Sequence, residues 1–72
     1  MCITDLGIGQ TGTITAINAF TQDVQRLMVM GLVEGAEVEH LSTAGNAYEF
    51  KLNNSIIAFS KEQAQHFTVE PV

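Results

Sequence analysis

The residue types best able to do chemistry lie together in one short stretch. Glu37 and Glu39 offer carboxylate oxygens and His40 an imidazole, a donor set that iron(II) accepts. In an extended strand side chains alternate, so Glu37 and Glu39 share one face and His40 points to the other. One strand therefore does not bring three ligands to one side of a metal, and an open strand face preorganises little. The expected arrangement is a solvated strand face with an interface histidine. Weak iron(II) binding by Glu37, Glu39 and His40 is the competing reading. His66 stands alone and is expected to be a partly buried strand residue.

Other chemistry is sparse. Cys2 is the only cysteine, so no internal disulfide forms, which fits a reducing compartment. Beside Met1 it is expected to be a frayed terminal residue. The run Gly7-Ile8-Gly9-Gln10-Thr11-Gly12 matches the spacing of a dinucleotide-binding loop, but that loop must follow a strand and open a helix. Here six residues precede the run and a threonine-rich strand follows it, so it reads as a turn leading into a strand. No serine or cysteine has a base and an orienting acid at recognisable spacing, and there is no phosphate-loop lysine and no Cys-x-x-Cys pair. The residues point to binding, not to catalysis.

Composition narrows the partners. Eight acidic residues face Arg26, Lys51 and Lys61, for a net charge of −5. Nucleic-acid binding draws its affinity from lysine and arginine at phosphates, and this chain lacks that footprint. The N-terminus has no basic segment followed by a long apolar run, so it does not read as a signal peptide. Leu6 to Gln22 is uncharged but rich in glycine and threonine, too polar for lipid. A cytoplasmic protein that reaches a membrane only through a partner is expected. With 72 residues, 46% of them apolar, one compact domain over residues 1–72 is expected.

The elements that position these residues are mostly strands. Thr13 to Ile17 alternates polar and apolar residues, as a half-buried strand does. A short helix follows, with Thr21 as N-cap and Asp23 in the first turn. Val24, Leu27 and Met28 fall at i, i+3 and i+4 and form its inner stripe. Gly31 is placed as a left-handed C′ residue, with Leu32 packing back on Leu27. Further strands are expected at Ala36–Thr43, Ala47–Leu52, Ser55–Phe59 and His66–Glu70. Asn53-Asn54 forms a two-residue hairpin turn, and a single helical turn starts at Ser60, boxed by Gln63. Curling five short strands into a small barrel manages their edges, although exposed edges also allow homo-oligomers.

The same helix offers the sharpest site. At 100° per residue Val29 lies opposite the inner stripe with Gln22 and Arg26, and Met30 flanks them. Apolar side chains exposed beside a cation suit an adaptable protein contact; the competing reading packs Met30 under the following loop and leaves Val29 as one incidental exposed residue. The candidate contacts are Arg26, Val29, Met30 and Leu32.

The run Arg26-Leu27-Met28-Val29-Met30-Gly31-Leu32-Val33-Glu34-Gly35-Ala36-Glu37-Val38 follows Arg-Leu-x-x-Met-Gly-Leu-x-x-Gly-x-x-Val. Its frame is Gly9-x-x-Gly12 with Ile14 and Ile17 before it, and Ile57-Ala58-Phe59 with Ala64 and Val69 after it. Together these resemble the FeoA family, small accessory proteins of bacterial ferrous iron uptake, over nearly the whole chain. The resemblance implies a mainly β fold, an SH3-like barrel of five strands with the helix between the first two. It also implies binding to the FeoB-type membrane permease through its cytoplasmic GTP-binding domain. An iron(II)-binding or iron-sensing protein, and a regulator of transcription acting through a protein partner, are the alternatives. Gly45-Asn46-Ala47 departs from the Gly-Asp-Pro-like turn common in the family.

Overall fold

The computed structural model describes all residues, Met1–Val72. The elements run β1 (Thr11–Ile17), α1 (Gln22–Val29), β2 (Glu37–Ala44), β3 (Ala47–Leu52), β4 (Ser55–Ser60), α2 (Lys61–Ala64) and β5 (Phe67–Pro71), after a 3-10 turn at Ile3–Asp5. The strands form one antiparallel sheet in the order β4-β3-β2-β1-β5. Every expected element is present, with boundaries shifted by a few residues at most. β1 starts at Thr11 because Thr11 to Thr13 pair with Glu39 to Glu37. His66 lies in the turn before β5 and is half-buried.

Two register shifts curl the sheet. One falls between His40 and Ser42 on β2, the other between Ile14 and Ala16 on β1. An unpaired residue raises the local twist and bends the strand, which lets a sheet this small wrap around a core. The result is an SH3-like barrel in which β4 and β5 do not pair with each other. α2 bridges them along the chain, so the barrel is completed by α2 and the shared core rather than by a fifth ladder.

The core follows the period-2 pattern of the strands. Phe50, Leu52, Ile57 and Phe59 point inward from the β3–β4 hairpin, while Lys51, Ile56 and Ala58 point out. Asn53 takes the strained turn position with φ 55°, the one non-glycine residue of positive φ. His40, Phe50, Phe59 and Phe67 form a column of rings, with centroids 4.8 Å apart from His40 to Phe50 and 5.2 Å from Phe50 to Phe59.

The N-terminal segment corrects one expectation. Cys2 is not frayed: it bridges to Thr68, and the Met1 and Val69 backbones exchange hydrogen bonds of 3.0 and 2.7 Å. Ile3 and Leu6 are fully buried, each contributing about 1.5–3 kcal/mol of apolar burial. Leu6 also explains Gly12, where a Cβ would lie 3.2 Å from Leu6 Cδ1. The glycine-rich run is therefore a turn that lets the N-terminal segment lie against β1. Gly9 donates to the His40 carbonyl at 2.7 Å within it.

Candidate partner-binding surface

α1 is built by local hydrogen bonds at both ends. Thr21 Oγ1 accepts from the Val24 amide at 3.2 Å, a cap that contributes about 1 kcal/mol. At the other end the Gly31 amide donates to Met28 and the Leu32 amide to Leu27, at 2.9 and 3.1 Å. This is the paired Schellman closure, with glycine at the left-handed position. Gly31 has φ 108°, and a Cβ there would sit 3.0 Å from Leu52 Cδ2. Two independent constraints thus select glycine.

Those bonds decide what α1 shows to solvent. Val24 and Leu27 are buried and Met28 is half-buried against the core. Val29 is 88% exposed and Met30 54% exposed. Arg26 is solvent-facing and lies 3.9 Å from Asp23, one turn back, a contact worth little at an exposed site. Of the four candidate contacts, Arg26, Val29 and Met30 stand on the surface and Leu32 does not. Leu32 is fully buried, because the closure that places it at C″ turns it back onto Leu27. A buried residue cannot touch a partner, so Leu32 is a core residue.

The exposed apolar residue after the helix is Val33. It is 38% exposed and follows Leu32 directly, so an inward Leu32 leaves Val33 facing out. The signal was available in the C-cap assignment. The exposed tip at the C-terminal end of α1 is therefore Val29, Met30 and Val33, with Glu34 next in the chain.

The second candidate set is pulled apart. Glu37 and Glu39 do lie on the outer face, around an open hollow of about 220 Å³ that Thr11, Lys51 and Asn53 also line. His40 is 4% exposed and stacked on Phe50. Its Nδ1 lies 2.8 Å from the Leu6 carbonyl and its Nε2 2.7 Å from Thr43 Oγ1. Nδ1–H donates to the Leu6 carbonyl, and Nε2 also lies 3.2 Å from the Ser42 carbonyl. Both nitrogens are engaged, so His40 holds the N-terminal segment to the β2 bulge and is not placed as a ligand. No group of three His, Cys, Asp or Glu side chains lies close enough to hold a metal ion. The residues present do not fit a resident metal. Cys2 Sγ accepts from Thr4 Oγ1 at 3.2 Å and is partly buried.

The ends of the barrel carry one titration effect. The Asn46 side chain donates to Glu62 Oε2 at 2.8 Å. This bond, followed by a backbone hydrogen bond, holds the Glu62 carboxyl below the usual glutamate range. The group is fully exposed. No helix is long and apolar enough to cross a membrane.

Comparison with known proteins agrees with this geometry. No curated protein matches the chain. Among solved structures, the FeoA protein from Chlorobium tepidum superposes with a TM-score of 0.92 at 27% identity, over 100% of this chain and 70% of that one. Iron(II) transport protein A from Clostridium thermocellum gives 0.93 at 28% identity, over 100% of this chain and 46% of that one. Stenotrophomonas maltophilia FeoA, solved with zinc and described as an SH3 domain protein, gives 0.87 at 17% identity, over 97% and 89%. The family model for the FeoA domain matches residues 1–71. An SH3-like barrel with one capped helix between its first two strands, matched from end to end by that model, makes this chain a member of the FeoA family.

Proposed function

We propose that this FeoA-family chain is a non-enzymatic accessory protein of ferrous iron uptake. It docks on the cytoplasmic GTP-binding part of a FeoB-type permease and modulates it. The observation that carries the reading is the tip of α1. Val29, Met30 and Val33 are apolar and solvent-facing, on a helix whose ends are pinned by side-chain and backbone caps. A rigid apolar knob beside a cation is the kind of surface whose cost of exposure is recovered on a partner. Family membership and the likeness to an iron(II) transport protein support ferrous iron transport as the setting. The FeoA family is not a known enzyme family.

The experiment is a binding titration against the permease's isolated cytoplasmic GTP-binding domain. Val29→Asp and Met30→Asp are each expected to weaken binding about tenfold or more, as truncation of a central contact does. Both sites are exposed, so stability should move by about 0.5 kcal/mol or less. Glu70→Lys, on β5 and outside α1 and the loop after it, serves as the control that leaves affinity unchanged. Wild-type affinity in both α1 variants would remove this surface from the reading.

A further inference from the structure

The three methionines of the chain stand in three settings. Met1 is exposed but tied to β5 through its backbone. Met28 is half-buried and packs against the core. Met30 is exposed at the tip of α1 with Val29 and Val33. Residues two apart on a helix point about 200° away from each other around its axis, so Met28 faces in and Met30 faces out. That difference separates stability from recognition. The Met30 backbone N–H donates to the Leu27 and Met28 carbonyls, and neither bond involves the sulfur. A chemical change at the Met30 thioether therefore leaves the C-cap standing. The same change at Met28 would set a polar oxygen against the core.

We propose that Met30 is an oxidation switch on the docking tip: a peroxide converts it to the sulfoxide, and the partner is released while the fold stands. This rests on the reading of the α1 tip as the docking surface. The step balances with peroxide alone. The sulfur takes one peroxide oxygen, an S–O bond forms, the O–O bond breaks and water leaves, so sulfur is oxidised and peroxide reduced. The product is polar where the thioether was apolar, and reductases specific for each sulfoxide epimer reverse it. Peroxide must reach the sulfur, so Met30 reacts ahead of Met28. On docking, the new S–O group loses water without a built partner for its oxygen, and that desolvation opposes binding. The cargo gives the switch a use. Iron(II) reduces peroxide to hydroxyl radical, and a contact that responds to peroxide couples uptake of the metal to the oxidant it must not meet.

The test treats the full chain with hydrogen peroxide, follows each methionine by peptide mass mapping, and titrates the product against the permease's cytoplasmic GTP-binding domain. Met30 should convert before Met28, with the amide spectrum of the five strands unchanged. The chain oxidised at Met30 should bind about tenfold more weakly or worse, as loss of a central contact does. Methionine sulfoxide reductases of both epimer specificities should restore its affinity. Met30→Gln, unbranched and polar like the sulfoxide, should reproduce the loss without peroxide. Met30→Leu has no sulfur at the tip, so peroxide should leave its affinity where it stood before treatment, an arm that separates Met30 from Met1, Cys2 and Met28. Wild-type binding that survives complete oxidation of Met30 overturns the switch alone. So does a loss that persists in Met30→Leu, or conversion of Met28 first. A wild-type chain that does not bind before peroxide overturns the docking reading, and the switch with it.

Discussion

β5 and β4 end the same sheet, and the chain treats them oppositely. Along β5 the Met1 and Val69 backbones exchange two hydrogen bonds, and Cys2 bridges to Thr68. Ile3 and Leu6 anchor that cover in the core, and Pro71 ends the strand. Along β4 nothing plays the same part, and Ile56 faces water. An unpaired edge is a template for another strand. A chain that spends six N-terminal residues covering one edge, and none on the other, separates a structural edge from an available one.

Proline is the sharpest way to break the comparison. At Val69 it would remove the amide that donates to Met1 and empty a core position. We expect a loss of about 4 kcal/mol, combining the proline penalty with a core deletion. At Ala58 the same residue should cost about 1 kcal/mol or less, because the lost amide faces solvent. Urea unfolding of the two variants reads both, and equal losses would show that the edges are equivalent. Ile3→Ala tests the cover itself. A fully buried isoleucine reduced to alanine is expected to cost about 3 kcal/mol, measured by the same unfolding curves. A change below about 1 kcal/mol would mean the N-terminal segment rests on the barrel without supporting it.

Smaller effects sharpen the bare side. Ile56→Thr should leave stability within about 0.5 kcal/mol of wild type by thermal melting, since the side chain has little packing to lose. The smallest expected effect lies at the loop below β4. Asn46→Ala removes the main cause of the lowered Glu62 carboxyl, and its titration followed by NMR should move up toward the usual glutamate range. The sign for stability follows from linkage. A carboxyl held low in the folded state adds stability above its unfolded pKa, and that gain is lost as pH falls through the folded value. The variant should therefore differ from wild type near neutral pH and converge with it in acid.

The parts of the molecule legible beforehand are those with local causes. Thr21, Gly31 and the Val24–Leu27 stripe specify α1 through bonds that span three to five residues. Ser60 and Gln63 box α2 the same way, and Asn53 marks its hairpin. The exposure of Val29 followed from helix period, whereas that of Met30 stood against packing under the following loop and is decided by the fold. Leu32 is buried, as its packing on Leu27 at the C-cap requires, and the exposed residue beside it is Val33.

What the order of residues determined without help is thus the alternation of strands, the two capped helical pieces and the outward side of Val29. Each rests on neighbours within one turn or one pleat. Tertiary structure alone decided the rest: that His40 is a core residue held by Leu6, 34 positions away, that Met1 closes β5 from 68 positions away, and that β4 is left open. Partners so distant along the chain leave no periodic trace, because they meet only once the curled sheet has brought its ends around the core.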